Sequence, residues 1–438
     1  MRSILLVASL IIGSVGVAQQ SFSLQQAMEY AAIHSYKTQL SEQEVLSAKA
    51  KVNETIGSGL PQINANGSYQ NFIKQPVQIV PAEFFGGNEG EFESVVFGTK
   101  QNLSADITAT QLIFDGSYLV GLKAAQQVTK FFELQKEKSV NDVKKEVADA
   151  YFMALVASRS NDILKESLDV FKKLKQDRRA MYEEGFASET DADQMDINYN
   201  NLKANVEYTT VQMNIAIMLL KFRMGIKQDQ EIILTDPLDN YTKSLPVTQN
   251  DVNLKNTVDF QLAAHNITLQ NLNRKALQAQ YLPSLNGFFT HQQQSFANEF
   301  NFFGSEAEYY PSTLFGINIK IPIFSSLNKH YKIKQAKIEE FKSKITTLQV
   351  REGLILDYKN AEANLIYNFN NFKNQEANLE LAKRIQKKTL IKFEEGMASS
   401  FEVSQSESQF LDAQNTYTQA TLNYLQSIAK LKQVTNQF

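Results

Sequence analysis

Residue types that do catalytic chemistry are sparse and scattered in this chain. The four histidines, His34, His265, His291 and His330, fall in no H-E-x-x-H pair, and no phosphate-binding loop or nucleophile elbow occurs. Cysteine is absent, which excludes disulfides, thiolate metal sites and thiol nucleophiles. The reading is therefore not an enzyme, with no catalytic, cofactor-binding or metal residues. What the spacing does offer is carboxylates at two matched places. Tyr182-Glu-Glu-Gly-Phe-Ala-Ser188 leads to Glu189, Asp191, Asp193 and Gln194, and Phe393-Glu-Glu-Gly-Met-Ala-Ser399 leads to Glu402 and Gln405. Asp191 and Glu402 each follow a serine by three residues, the spacing at which a side chain closes the start of a helix.

The elements that carry these carboxylates are long helices joined at glycines. From Gly116 to Glu184 no proline intervenes, and Val140, Val143, Val147, Ala150 and Ala154 keep a coiled-coil spacing, so a helix of about 100 Å is expected at about 1.5 Å per residue. A second helix is expected from Thr190 to Met224, and the pattern returns over Asn328 to Glu394 and Phe401 to Lys432. Gly185 and Gly396 stand where a helix end takes a left-handed residue. The duplication extends further: Gly59-Leu-Pro-Gln-Ile63 matches Tyr281-Leu-Pro-Ser-Leu285, and Leu112-Ile-Phe-Asp-Gly116 matches Pro322-Ile-Phe-Ser-Ser326. A period of about 200 residues is too long for a solenoid and marks a duplicated domain.

Between the helices the period changes to two. Ile63, Ala65, Gly67 and Tyr69 alternate with Asn64, Asn66 and Ser68; Leu103, Ala105, Ile107 and Ala109 with Ser104, Asp106 and Thr108; Phe315, Ile317 and Ile319 with Asn318 and Lys320. With a weaker strand from Ser284 to Gln292, four strands per chain follow. A helix from Leu24 to Gly57 precedes the first. Apolar groups facing lipid and the polar set facing a wet lumen fit a membrane barrel, with Phe288, Phe289, Phe296, Phe300, Phe302, Phe303, Tyr309 and Tyr310 as an interfacial aromatic girdle. Four strands cannot close in lipid, so a barrel must be shared among chains.

Residues 1–18 read as a signal peptide, charged at Arg2, apolar to Val17 and ending in Gly16-Val-Ala18. No later run approaches the roughly 20 apolar residues of a spanning helix. A formal charge of −3 without a basic patch sets nucleic acid aside. The expected organisation is a first repeat over 19–246, with strands about 60–77 and 94–113 and a helical hairpin about 116–224. A second repeat follows over 247–438, with strands about 282–297 and 310–324 and a hairpin about 327–433.

Signal peptide, Leu-Pro before a strand, Phe-Asp-Gly before a long helix and two glycine-centred tips together resemble the TolC family of outer-membrane efflux proteins over the mature chain. That resemblance implies a mostly α fold with a membrane β-barrel part, in which three chains share twelve strands continued by an α-helical periplasmic tube. It implies a passive outer-membrane exit duct for a tripartite efflux pump or type I secretion system, with outer-membrane lipid, a periplasmic adaptor and an inner-membrane pump as partners. Family members close the periplasmic end after the second tip at positions matching Glu402 and Gln405, and Asp191, Asp193 and Gln194 are the first-tip counterparts. Three copies of Glu402 near an axis would repel, raising their pKa and favouring cations. Gly185, Phe186, Ala187 and Ser188, with Gly396, Met397, Ala398 and Ser399, are small or apolar enough to dock adaptor helices. The rival reading, a soluble periplasmic coiled-coil adaptor or scaffold, accounts for the signal and helices but leaves the strands without a role.

Overall fold

The computed structural model describes residues 20–243, 245 and 254–438. The expected signal peptide and the expected boundary between repeats at 246/247 lie outside the described residues. The chain runs β1 (Gln20–Phe22), α1 (Leu24–His34), α2 (Tyr36–Ser58), β2 (Gln62–Asn71), β3 (Val77–Pro81), β4 (Phe92–Val96), β5 (Gln101–Phe114), α3 (Gly116–Glu183) and α4 (Glu189–Met224). It continues through β6 (Ile232–Leu234), α5 (Asp239–Thr242), α6 (Val258–Ala279), β7 (Ser284–Ala297), β8 (Tyr310–Lys320), α7 (Asn328–Glu394) and α8 (Ser400–Val434). Two compact units result: one from residues up to Val45, Phe131–Ala264 and Ile345–Phe438, the other from Leu46–Lys130 and His265–Lys344. The cuts fall inside α2, α3, α6 and α7, so each unit gathers matching pieces of both repeats.

The second unit is built on a four-stranded antiparallel sheet of order β2-β5-β7-β8. Its register places Asn64, Asn66 and Ser68 opposite Thr108, Asp106 and Ser104, and those opposite Thr290, Gln292 and Gln294. Side chains alternate across a strand, so one face is mostly polar and the other carries Ile63, Ala65, Leu103, Ala105, Ile107, Phe289, Phe315 and Ile317. Arg274 Nε donates to Glu340 at 2.8 Å, tying α6 to α7 in this unit.

Several boundaries differ from expectation. The first strand ends at Asn71 rather than near 77, because the chain turns ahead of Pro76, which has no N–H for a ladder. The second begins at Gln101 rather than near 94: Phe92–Val96 pairs instead with Val77–Pro81 as a separate hairpin, and Gly98 turns between them at φ 98°. The last strand stops at Lys320, ahead of Pro322. The single helix expected over Leu24–Gly57 is two, broken at Ser35, whose extended backbone ends α1 and whose Oγ accepts from Thr38 N–H at 3.2 Å. The aromatic girdle is also redistributed. Phe288 lies on the polar face over Gly316, Phe296 and Tyr310 share that face, and Phe302 is buried beside Tyr69 and Phe300 with ring centroids 5.9 and 5.6 Å away.

In the first unit the helices share a core of Val143, Val147, Tyr151, Leu220, Met224, Leu365, Phe372, Tyr424 and Leu425. Phe372 stacks on Tyr424 at 5.5 Å. The short parallel pair β1 and β6 is fastened to it through Tyr151, whose hydroxyl donates to Phe22 O at 3.0 Å, and through Asp236, whose carboxylate accepts from Leu24 N–H at 2.7 Å and Tyr241 O–H at 2.5 Å. Burial pushes the Tyr151 hydroxyl up to about 12.

Gly225 ends α4 with φ 77°, and a Cβ there would stand 2.2 Å from the His34 carbonyl oxygen. Gly396 has φ 75° with open space around it. Gly225→Ala is expected to cost more than about 2 kcal/mol, against on the order of 1 kcal/mol for Gly396→Ala, where only left-handed strain acts. Thermal denaturation of both purified variants tests that order; equal losses would show that the His34 contact yields freely.

Candidate functional site

Each helical hairpin of the first unit turns in the same way. At the first tip Phe186 N–H bonds Met181 O at 2.7 Å and Gly185 N–H bonds Tyr182 O at 2.9 Å; at the second, Met397 N–H bonds Lys392 O at 2.7 Å and Gly396 N–H bonds Phe393 O at 3.1 Å. These paired bonds satisfy carbonyls that a helix end leaves open, and they need a left-handed residue where both glycines stand. The chain then re-enters a helix at a serine. Ser188 Oγ accepts from Asp191 N–H at 3.1 Å, and Ser399 Oγ accepts from Glu402 N–H at 3.3 Å. Gly185, Phe186, Ser188, Gly396, Met397 and Ser399 are exposed, with Phe186 at 80% and Met397 at 67%, while Ala187 and Ala398 are half-buried.

The two acidic cap residues behave differently. Glu402 completes a reciprocal capping box, its Oε2 accepting from Ser399 N–H at 2.7 Å. That bond holds its carboxyl below the usual carboxylate range, so in a single chain the cap acts against the upward shift expected of a ring of three. Asp191 instead splits its oxygens. Oδ2 accepts from Ser188 Oγ–H at 2.8 Å, and Oδ1 accepts from Ser400 Oγ–H at 2.5 Å, on the other hairpin. Its pKa is lowered, first by the Ser400 bond and then by Ser188.

Around Asp191 the hairpins are joined again. Arg178 donates to Phe393 O at 2.6 Å with its guanidinium 3.8 Å from the Phe393 ring centre, and Asn198 Nδ2 donates to Ser404 Oγ at 2.8 Å. Asp193 is taken up by Arg179 at 3.1 Å, Gln194 is half-buried, and Gln405 is exposed. The structure thus brings Asp191 to the second tip's first turn and leaves Asp193, Glu402 and Gln405 on the outside of the single chain. Sequence reasoning missed Arg178, Asn198, Ser400 and Ser404. Ser400 carried a faint signal, the doubled serine of Ser399-Ser400 against Ser188-Glu189 at the first tip, but nothing local named Asp191 as its partner.

In the second unit the eight lumen candidates, Asn64, Asn66, Ser68, Ser104, Asp106, Thr108, Asn318 and Lys320, all fall on the polar face. Asn66 Nδ2 donates to Asp106 Oδ2 at 3.1 Å, as does Thr108 Oγ at 3.2 Å, and Thr108 lies 3.0 Å from Thr290 Oγ, so the polar row is hydrogen-bonded across three strands. No described helix is long and apolar enough to cross a membrane.

The sequence profile of the family described as outer membrane efflux protein matches residues 251–437. Among curated proteins, none matches the chain by sequence. Solved structures do match in fold: CusC, at 16% identity, TM-score 0.71 and 94% of this chain over 91% of that one; the Campylobacter jejuni outer membrane channel CmeC, at 16%, 0.67, 94% and 85%; and the open-state Neisseria gonorrhoeae outer membrane channel MtrE, at 17%, 0.69, 94% and 88%. The resemblance drawn from paired tips and alternating strands is borne out: residues 251–437 match the outer membrane efflux protein family, and the chain shares the fold of the outer-membrane channels CusC, CmeC and MtrE.

Proposed function

We propose that three copies of this chain form a passive exit duct through the outer membrane of a diderm bacterium, serving a tripartite efflux pump or a type I secretion system. The observation that carries this reading is the sheet. It has one mostly polar and one mostly apolar face, and its outer strands β2 and β8 each pair on one side only among the described residues. In hydrocarbon an unpaired strand edge costs several kcal/mol per exposed group. Three sheets joined β8 to β2 remove every edge and enclose the hydrogen-bonded polar row. The helical hairpins then form the periplasmic tube.

The tips are the moving part. Asp191–Ser400, Asn198–Ser404 and the seat of Arg178 on Phe393 fasten one hairpin to the other. Parting them widens the passage, and docking of a periplasmic adaptor on exposed Phe186 and Met397 supplies the differential binding that favours the parted state. The inner-membrane pump provides the energy. A soluble scaffold has no use for a sheet with an apolar face, and no observation favours it.

Protein purified in detergent is expected to have the mass of a trimer and to give discrete currents in planar bilayers; a monomer without currents would overturn the duct. Ile107→Arg, on the apolar face, is expected to cost about 2–4 kcal/mol at mid-bilayer and abolish heat-resistant trimers, whereas Thr108→Arg is tolerated and lowers cation current. Equal behaviour of the two would reject the assignment of faces. Ser400→Ala keeps both helix caps and removes only the Asp191 link among the contacts that join the hairpins. Single-channel recording should show severalfold more open time, and an unchanged trace would exclude the link from gating.

A further inference from the structure

Below the tips, α8 carries polar residues at every seventh position of its buried seam: Ser400, Glu407, Gln414 and Thr421. Val403 and Phe410 stand between them, and both are buried. Glu407 is the anomaly in this row. It is 4% exposed, yet a single bond from Gln386 Nε2–H on α7 is all that its carboxyl receives, and Oε1 has no partner. Glu407 is one of the residues lining a cleft of about 460 Å³ between α4 and α8, together with Asn198, Asn201, Asn205, Ser404 and Ser408.

No ionisable group faces it among the described residues. α7 contributes Gln386, α4 contributes asparagines, α8 contributes serines, and the α3 side chains of the neighbouring core are Leu164, Phe171 and Leu174. A buried carboxylate without a counter-charge is costly, whereas a protonated carboxyl packs as a neutral group. Opening the cleft would let water and the asparagine amides solvate the anion.

We infer that Glu407 is a proton-operated latch between the two hairpins, neutral while α4, α7 and α8 pack together and charged when they part. Burial pushes its carboxyl up to about 7, the Gln386 bond opposing. Because the packed-state value lies above that of a free carboxyl, the latch holds fully in acid and weakens as pH rises through about 7. The packed-to-parted equilibrium falls by up to about tenfold per pH unit between about 4.5 and about 7, and levels off above that, where the carboxyl is charged in both states. Asp191 works in the opposite sense, since its lowered pKa makes the Ser400 link fail only in stronger acid, so the fall in stability towards about pH 7 isolates Glu407.

The test is thermal melting of the detergent-purified full-length protein from about pH 5.5 to about pH 8.5, with channel currents on the same samples. The wild type is expected to lose stability up to about pH 7 and to level off above it, while Glu407→Gln, neutral at every pH and still able to accept from Gln386, stays flat. Gln386→Met removes the bond that favours the anion and should move the transition to higher pH. If Glu407→Gln melts with the wild-type pH dependence, or Gln386→Met leaves the midpoint in place, the latch is rejected. The latch depends on the duct reading only for its current readout: a wild type that melts as described but passes no current would count against the duct alone.

Discussion

Backbone hydrogen bonding is the constraint on which this structure depends. A helix satisfies its N–H and C=O groups internally, so α3, α4, α7 and α8 need only an apolar seam and sound ends. A sheet satisfies them only where it has neighbours, and this one stops at β2 and β8. The hairpins can therefore pack within one chain, whereas the strands call for further copies once lipid replaces water around them. In the proposed duct, oligomerisation would follow from strand number, not from a special interface residue.

The same requirement explains the tips. A helix reversal strands carbonyls at one end and N–H groups at the other, and both turns answer with a left-handed glycine followed by a serine cap. Because local atoms complete the turns, the outward side chains Phe186 and Met397 are free of structural duty. Near the tips a few polar contacts add to the shared apolar core in joining the hairpins. Asp191–Ser400 and Asn198–Ser404 are short-range and directional, so they hold one register and break together. The polar row of α8 adds to this: buried Gln414 and Glu407 each leave an oxygen unpaired, which lowers the stability of the packed seam.

This arrangement also accounts for a shared fold at 16% identity with CusC. Strand alternation, heptad spacing and glycine-serine turns specify periodicities and backbone angles, and many sequences meet them. The chemistry of individual contacts is free to vary within that frame.

The sequence by itself determined the periods. Two in Ile63–Tyr69 and Leu103–Ala109, and the coiled-coil spacing after Gly116, are written residue by residue, because side-chain direction follows from local backbone geometry. The tip glycines and serines were legible for the same reason, and so were the eight polar-face candidates, which needed only alternation. Strand ends were less so: Pro76 and Pro322 were visible, but the extra hairpin of Val77–Pro81 with Phe92–Val96 depends on pairing across a loop. Only the tertiary structure decided which distant groups meet. Asp191 finds Ser400 from 209 positions away, Arg178 finds Phe393, and Glu407 is buried against Gln386 without a counter-charge. Such contacts are set by how four helices pack side by side, and packing of distant segments has no local periodicity to announce it.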